Sequence, residues 1–146
     1  MTTSPPLTTM PITDDGQLTQ RWADLLLDPG PAQSPTLWLG WVRPDGTMLP
    51  LLVPVGELPR WPGWRSLWGV RTVHAEVARL HRVDPDDLHL TLALERPGPA
   101  GTTDDDLEWS EAVEEQLAEA LEAGCSFHVV DAHRVVQLLP RSWWPG

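Results

Sequence analysis

Two histidines seven residues apart, His74 and His81, and two more around a short polar turn, His128 and His133, are the side chains here best suited to hold a metal or move a proton. Imidazole can do either, because one ring nitrogen accepts while the other donates. On one helix His74 and His81 share a face, but seven residues is two turns, about 10 Å, too far for both to reach one ion comfortably. A polar surface stripe is the ordinary reading of that pair. His128 and His133 flank Asp131, so a metal or acid/base cluster is conceivable there, against the plainer reading of polar strand ends. Ser110 or Ser126 could complete a Ser-His-Asp triad on paper, yet no Gly-x-Ser-x-Gly elbow surrounds either one. Cys125, the only cysteine, follows a helix end and enters a strand. A helix C-terminus and burial both raise a thiol pKa, so it reads as structural rather than nucleophilic. A lone cysteine also excludes an internal disulfide and a zinc site built on two or more thiolates.

The elements that must position these groups follow from pattern. Leu88, Leu90, Leu92 and Leu94 alternate with His89, Thr91 and Ala93, which predicts a strand over 88–94 with its leucine face on the core. Before it, Val70, Val73, Val77 and Leu80 recur at helical spacing and predict a helix over 70–82, ended by Asp84-Pro85-Asp86. After it, Thr103 or Asp104 can cap a helix over 105–123 whose early acids suit its positive end. Trp109, Val113, Leu117, Ala120 and Leu121 form its apolar stripe, and Gly124 is placed to end it. Residues 36–42 and 47–55 are apolar runs joined by Arg43-Pro44-Asp45-Gly46, a hairpin whose Pro50 and Pro54 confine the second strand to an edge or a bulge. Residues 127–130 and 135–139 make a closing hairpin. The order hairpin, helix, strand, helix, hairpin is that of an α/β (α+β) domain, a mixed β-sheet with flanking helices. Residues 1–18, rich in Thr, Pro and Ser, read as a flexible arm, and 19–146 as a single globular domain. That domain opens on a short amphipathic segment with Trp22, Leu25, Leu26 and Leu27.

Charge narrows the function classes. The chain of 146 residues carries 21 acidic and 10 basic residues, a net charge of −11. Every basic residue is arginine, Lys, Tyr and Asn are absent, and Ile12 is the only isoleucine, a bias that points to a high-GC genome. Nucleic-acid backbones and anionic membranes both require clustered cations, so neither is an expected partner. No basic segment followed by an apolar run opens the chain, and no apolar stretch approaches the ~20 residues of a membrane span. A cytoplasmic location is expected by default.

Between residues 88 and 124 a buried strand ends in Leu94-Glu95-Arg96-Pro97, a Pro/Gly/Thr-rich loop follows, and Thr103-Asp104-Asp105-Asp106 opens a helix. This phrase, and the order of elements over roughly 36–139, resembles the JAB/MPN metalloprotease-like family, in particular its bacterial RadC-like branch. In that branch the strand ends in His-x-His-Pro and Ser-x-x-Asp opens the next helix. Two histidines and the aspartate hold zinc, and a glutamate acts as general base on bound water. Here only the proline of the first motif and an acid of the second are present, and arginine cannot replace histidine as a ligand. The resemblance therefore implies a scaffold without its metal site, a pseudoenzyme with no cofactor. His74-Ala75-Glu76 also looks like the His-x-Glu of zinc nucleobase deaminases, whose fold shares a layered arrangement with JAB domains. There the histidine binds zinc, the glutamate shuttles protons and a downstream Pro-Cys-x-x-Cys completes the site. The corresponding loop here, Glu95-Arg96-Pro97-Gly98-Pro99-Ala100, has no cysteine, and a solvated helix face explains His74 and Glu76 as well.

Nine tryptophans are the unusual feature. Trp61, Trp64 and Trp68 crowd the approach to the first core helix, and Trp143 and Trp144 lie near the C-terminus. Tryptophan is enriched at interface hot spots, although rings in a small protein also seal sheet edges. The expected function is thus a non-catalytic domain acting through protein contacts, as an adaptor or by self-association, with no catalytic and no metal residues. Two alternatives stay open. One is an atypical metal-dependent hydrolase or deaminase built from His74, Glu76, His128 or His133. The other is a small-molecule binding module using the loop over 95–103.

Overall fold

Strand β3 (His89–Glu95) has a covered face on each side, and the architecture follows from that. A computed structural model of the chain describes residues 10–27, 34–58, 64–131, 133–141 and 144, with only the backbone of 64–66. Expectations placed on residues 1–9, on Trp61, on the ring of Trp64 and on Trp143 lie outside the described residues. The chain runs α1 (Asp15–Leu26), β1 (Thr36–Val42), β2 (Val53–Val55), α2 (Trp64–Leu80), β3, α3 (Asp104–Val113) with a π-helical turn over Glu114–Ala118, β4 (Cys125–Val130) and β5 (Val135–Leu139). The sheet order is β2, β1, β3, β4, β5, so β3 is central, as the leucine alternation predicts. β1 is antiparallel to both β2 and β3, β3 and β4 are parallel, and β5 returns antiparallel to β4. The fold class is the expected one, an α+β domain with a mixed sheet flanked by helices.

On one face Leu90, Leu92 and Leu94 pack with Leu37, Leu39 and Trp41 of β1 and with Phe127 and Val129 of β4, under α2 and α3. Leu92 sits between Leu39 and Phe127 across the ladder and is fully buried. Leu92→Ala is expected to cost about 2–5 kcal/mol in urea or thermal unfolding, through lost transfer energy and a residual cavity. A loss under about half a kcal/mol would mean that the site collapses freely and is no core position.

The opposite face is covered by α1, which the arm assigned to residues 1–18 does not allow for. α1 begins at Asp15, capped by Asp14 Oδ1 accepting from the Gln17 amide, so the boundary at 18 is too late. Ile12, Leu18, Trp22 and Leu26 are buried against Val42, Ala93 and Val130. Leu18, Trp22 and Leu26 recur every fourth residue, one stripe of a helix that needs a surface to cover. The Pro-Asp-Gly turn forms as expected, and Gly46 is required there twice over. Its φ is +89°, and a Cβ would lie 2.5 Å from the Ile12 carbonyl oxygen, whose residue donates its amide to Gly46 O at 2.7 Å.

Other boundaries move for identifiable reasons. β2 is only three residues long and lies at the sheet edge, where exposed Pro54 leaves no inner ladder donor missing. α2 starts at Trp64 rather than 70, and Leu80, predicted on its core stripe, is 61% exposed. α2 ends in a Schellman motif, with Arg82 in the left-handed region at φ 56° and Val83 N–H donating to Ala78 O. In the π turn the wider i→i+5 spacing keeps Val113 and Leu117 on the core but rotates Ala120 out to solvent. Among the described residues no helix is long and apolar enough to cross a membrane.

Candidate functional site

The structure separates the residues that the sequence grouped. His74 lies inside α2 but is 1% exposed, not part of a solvated stripe. Its Nδ1 accepts from the indole N–H of Trp41 at 3.1 Å, which leaves Nε2–H to donate to the Pro85 carbonyl at 3.1 Å. Burial holds this imidazole below its usual pKa. Glu76 is two residues on, and positions i and i+2 of a helix do not face each other. It is exposed and pairs with Arg79. His-x-Glu within a continuous helix therefore makes no shared site, and His81, half-buried at the end of α2, joins neither.

His128 and His133 are likewise not brought together. His133 is exposed in the turn, where its backbone N–H donates to Asp131 Oδ1. His128 is not strand-end polarity but a fully buried residue within β4, beneath α1. Its Nδ1–H donates to the Leu92 carbonyl at 3.2 Å, and Gln137 Nε2 donates to its Nε2 at 3.3 Å. Gln137 Nε2 also reaches Asp15 Oδ1, which accepts the Arg141 amide as well, so the first turn of α1, β5 and the C-terminal segment share one polar contact. Burial pushes the His128 pKa down to about 4. Ser110 is buried in α3, and Cys125 is buried with its thiol pKa raised by burial, in keeping with a structural cysteine.

The feature that sequence reasoning missed is a polar line across the covered face of β3. Trp22 Nε1 donates to Thr91 Oγ1 at 2.9 Å, Thr91 Oγ1 and Ser126 Oγ are 2.8 Å apart, and Ser126 Oγ is 3.0 Å from His89 Nε2. His89 Nδ1–H donates to the Ala123 carbonyl at 2.8 Å. With the two ends fixed as N–H donors, the hydroxyl protons close the line only if Thr91 donates to Ser126 and Ser126 to His89. Every group is then satisfied and the imidazole is neutral; burial holds its pKa down at about 3. A serine hydroxyl facing a histidine nitrogen is the first half of nucleophile activation. Here the far nitrogen meets a carbonyl rather than a carboxylate, and His89, Thr91 and Ser126 are all fully buried. The line holds α1 to the sheet and offers no path to a substrate. The signal for it was present in the polar side of the 88–94 alternation together with the unpartnered stripe of α1.

At the carboxyl end of β3, Arg96 and Asp106 form a bidentate ion pair, Nε to Oδ1 at 2.8 Å and NH2 to Oδ2 at 2.7 Å. The guanidinium also donates to the carbonyls of Pro99 and Gly101, and Asp106 Oδ2 accepts the Thr103 amide in a capping box. Asp131 adds a second clasp, accepting amides from Gly101, His133 and Arg134. Burial alone would raise that carboxyl, but the three donors outweigh it and hold it below the usual range. Next to the pair lies a cleft of about 320 Å³ walled by Pro35, Leu58, Leu94 and Trp109, with Arg96, Asp105 and Asp106 at its polar side. The metal-ligand positions of the metalloprotease-like resemblance fall here. The donor set does not fit zinc: a guanidinium has no lone pair to give, and the Asp106 carboxylate is taken up by Arg96 and Thr103. Among the described residues, no three His, Cys, Asp or Glu side chains are grouped to hold a metal ion.

On the outer side of α2, Trp68 is 59% exposed, with the Arg71 guanidinium 5.2 Å over its ring. Of the other proposed interface rings, Trp144 is half-buried, 6.5 Å from His89 and under Arg141, so it is a cover for the sheet rather than a free surface ring. No family model matches the chain, and no curated protein and no solved structure resembles it at a significant level.

Proposed function

We propose that this chain is a non-catalytic domain that works through protein contacts, with α2 as its contact face. The observation that carries the reading is Trp68, a large ring 59% exposed on a regular helix and covered on one side only by Arg71. Burial of such a ring recovers roughly 25 cal/mol per Å² of apolar area, and Trp and Arg are the residues most enriched at interface hot spots. His74, His89 and His128 each have both ring nitrogens committed inside the fold, which supports leaving them out of any catalytic role. The layered arrangement is compatible with a JAB-like scaffold in which Arg96 and Asp106 stand where zinc ligands are expected. A cytoplasmic setting suits the unpaired Cys125 thiol, and the acidic charge disfavours nucleic-acid partners.

Trp68→Ala is expected to leave the melting temperature within about 2 °C, as for other surface changes, while removing capture of the bound partner chain. Unchanged capture would exclude α2 as the contact face. Purified chain is expected to carry zinc far below one ion per molecule and to melt alike with and without chelator. Stoichiometric zinc, or a chelator-induced fall in melting temperature, would overturn the non-catalytic reading. The cleft beside Arg96 supports a second reading, a small-molecule module, since about 320 Å³ is at the lower end of ligand pockets. A ligand that shifts the Trp109 emission would favour it.

A further inference from the structure

We infer that the partner fitting this face is a second copy of the chain, docked so that α2 of each copy lies over α3 of the other; this rests on the reading of α2 as a contact face. The two helices lie side by side on one face of the sheet. β2 and β3 are both antiparallel to β1, and β4 is parallel to β3, so α2 and α3 run in the same direction. A two-fold axis in the contact plane, parallel to both helices, then places α2 of each copy over α3 of its partner, a closed isologous contact.

Charge selects this pairing. Residues 64–82 hold four arginines and one glutamate, whereas residues 104–122 hold nine acids and no cation. The acidic excess of the chain is thus concentrated on the helix beside its most basic one. Stacking α2 on α2 or α3 on α3 would oppose like charges, and only the crossed arrangement pairs them. Arg71 and Arg79, about 12 Å apart along α2, match the spacing of exposed Glu108 on α3 and Glu115 in its π turn, about 10 Å. Of the four large hydrophobic side chains exposed among the described residues, Trp68 and Leu80 lie on α2 and Leu107 on α3. A helix of about 25 Å beside one of about 20 Å, counting the π turn, at ~10 Å spacing presents on the order of 450 Å² in projection, approaching the ~800 Å² per partner of a standard interface once relief is counted.

The test uses sedimentation equilibrium of the full chain at tens of micromolar. A dimer is expected whose dissociation constant rises at least about tenfold from low to half-molar salt, as screening shortens the reach of the charges. Arg71→Glu with Arg79→Glu should give a monomer, as should Glu108→Arg with Glu115→Arg, each checked for an unchanged melting profile. Mixing the two double variants should restore a heterodimer, which neither forms alone. A wild-type chain that stays monomeric, or a dimer that persists in both variants, overturns the inference. Capture of a different chain that survives Trp68→Ala would overturn the broader reading of α2 instead, so the two failures are distinguishable.

Discussion

Acidification from pH 6.5 to about 4.5 is expected to weaken folding by close to a hundredfold per pH unit, well before the bulk of the carboxylates titrate. The cause is His89 and His128, both fully buried and neutral, with folded pKa values lowered by burial to about 3 and about 4. The sign follows from the proton balance. Above pH 6.5 neither state binds the extra proton, so the contribution of both groups is intact. Below it the unfolded chain protonates at its ordinary histidine value while the folded chain does not, and stability falls until the folded pKa is reached. Two such groups cost roughly 3 kcal/mol per pH unit, so two units consume much of the roughly 5–15 kcal/mol of a typical domain. Urea unfolding at half-unit steps should show this slope, and His89→Gln with His128→Gln should flatten it at the expense of stability at pH 7. Stability that is level between pH 6.5 and 4.5 would mean that water reaches these rings and that α1 does not seal the sheet.

What the sequence could reveal of this fold divides along the range of the interactions involved. The leucine alternation over 88–94, the turn at Pro44-Asp45-Gly46 and the capped acidic start of α3 are local, and each appears where its pattern places it. Pairings across the chain leave no periodic trace. Trp22 meets Thr91 across 69 residues and His128 meets Gln137 against α1, so nothing local marks the His89, Thr91 and Ala93 side of β3 as covered. The Thr/Pro-rich opening hid Ile12 and Leu18 for the same reason, since their burial depends on a surface that only the finished sheet supplies. His74 shows the same limit: a polar residue on a helix reads as solvent-facing, although Trp41 Nε1 needs an acceptor as it is buried. The cleft beside Arg96 left no signature in the sequence beyond the polar loop over 95–103. The use of Arg96 to close the loop required the geometry.

Arg96→Ala is expected to destabilise the fold by about 3–5 kcal/mol, the range for breaking a buried ion pair by removing one partner. Asp106 is 1% exposed and would keep only the Thr103 amide, while the carbonyls of Pro99 and Gly101 would lose their donor. Arg96→Lys should recover little, because an ammonium cannot place Nε and NH2 on two carboxylate oxygens and reach two carbonyls from one plane. Replacing both partners, Arg96→Met with Asp106→Leu, should be milder than either single change. It removes the uncompensated charge and forfeits mainly the capping box, worth about 1 kcal/mol. Thermal and urea unfolding of Arg96→Ala, Arg96→Lys, the double variant and its two single changes, with hydrogen exchange of the amides of residues 98–103, would separate these terms. If Arg96→Ala cost under about 1 kcal/mol, the pair would be behaving as a solvated surface bridge. Arg96 would then be free to serve a ligand in the adjoining cleft, and the small-molecule reading would gain what the scaffold reading lost. A large cost fixes the guanidinium as structure: its charge is spent on holding shut the loop over residues 96–106.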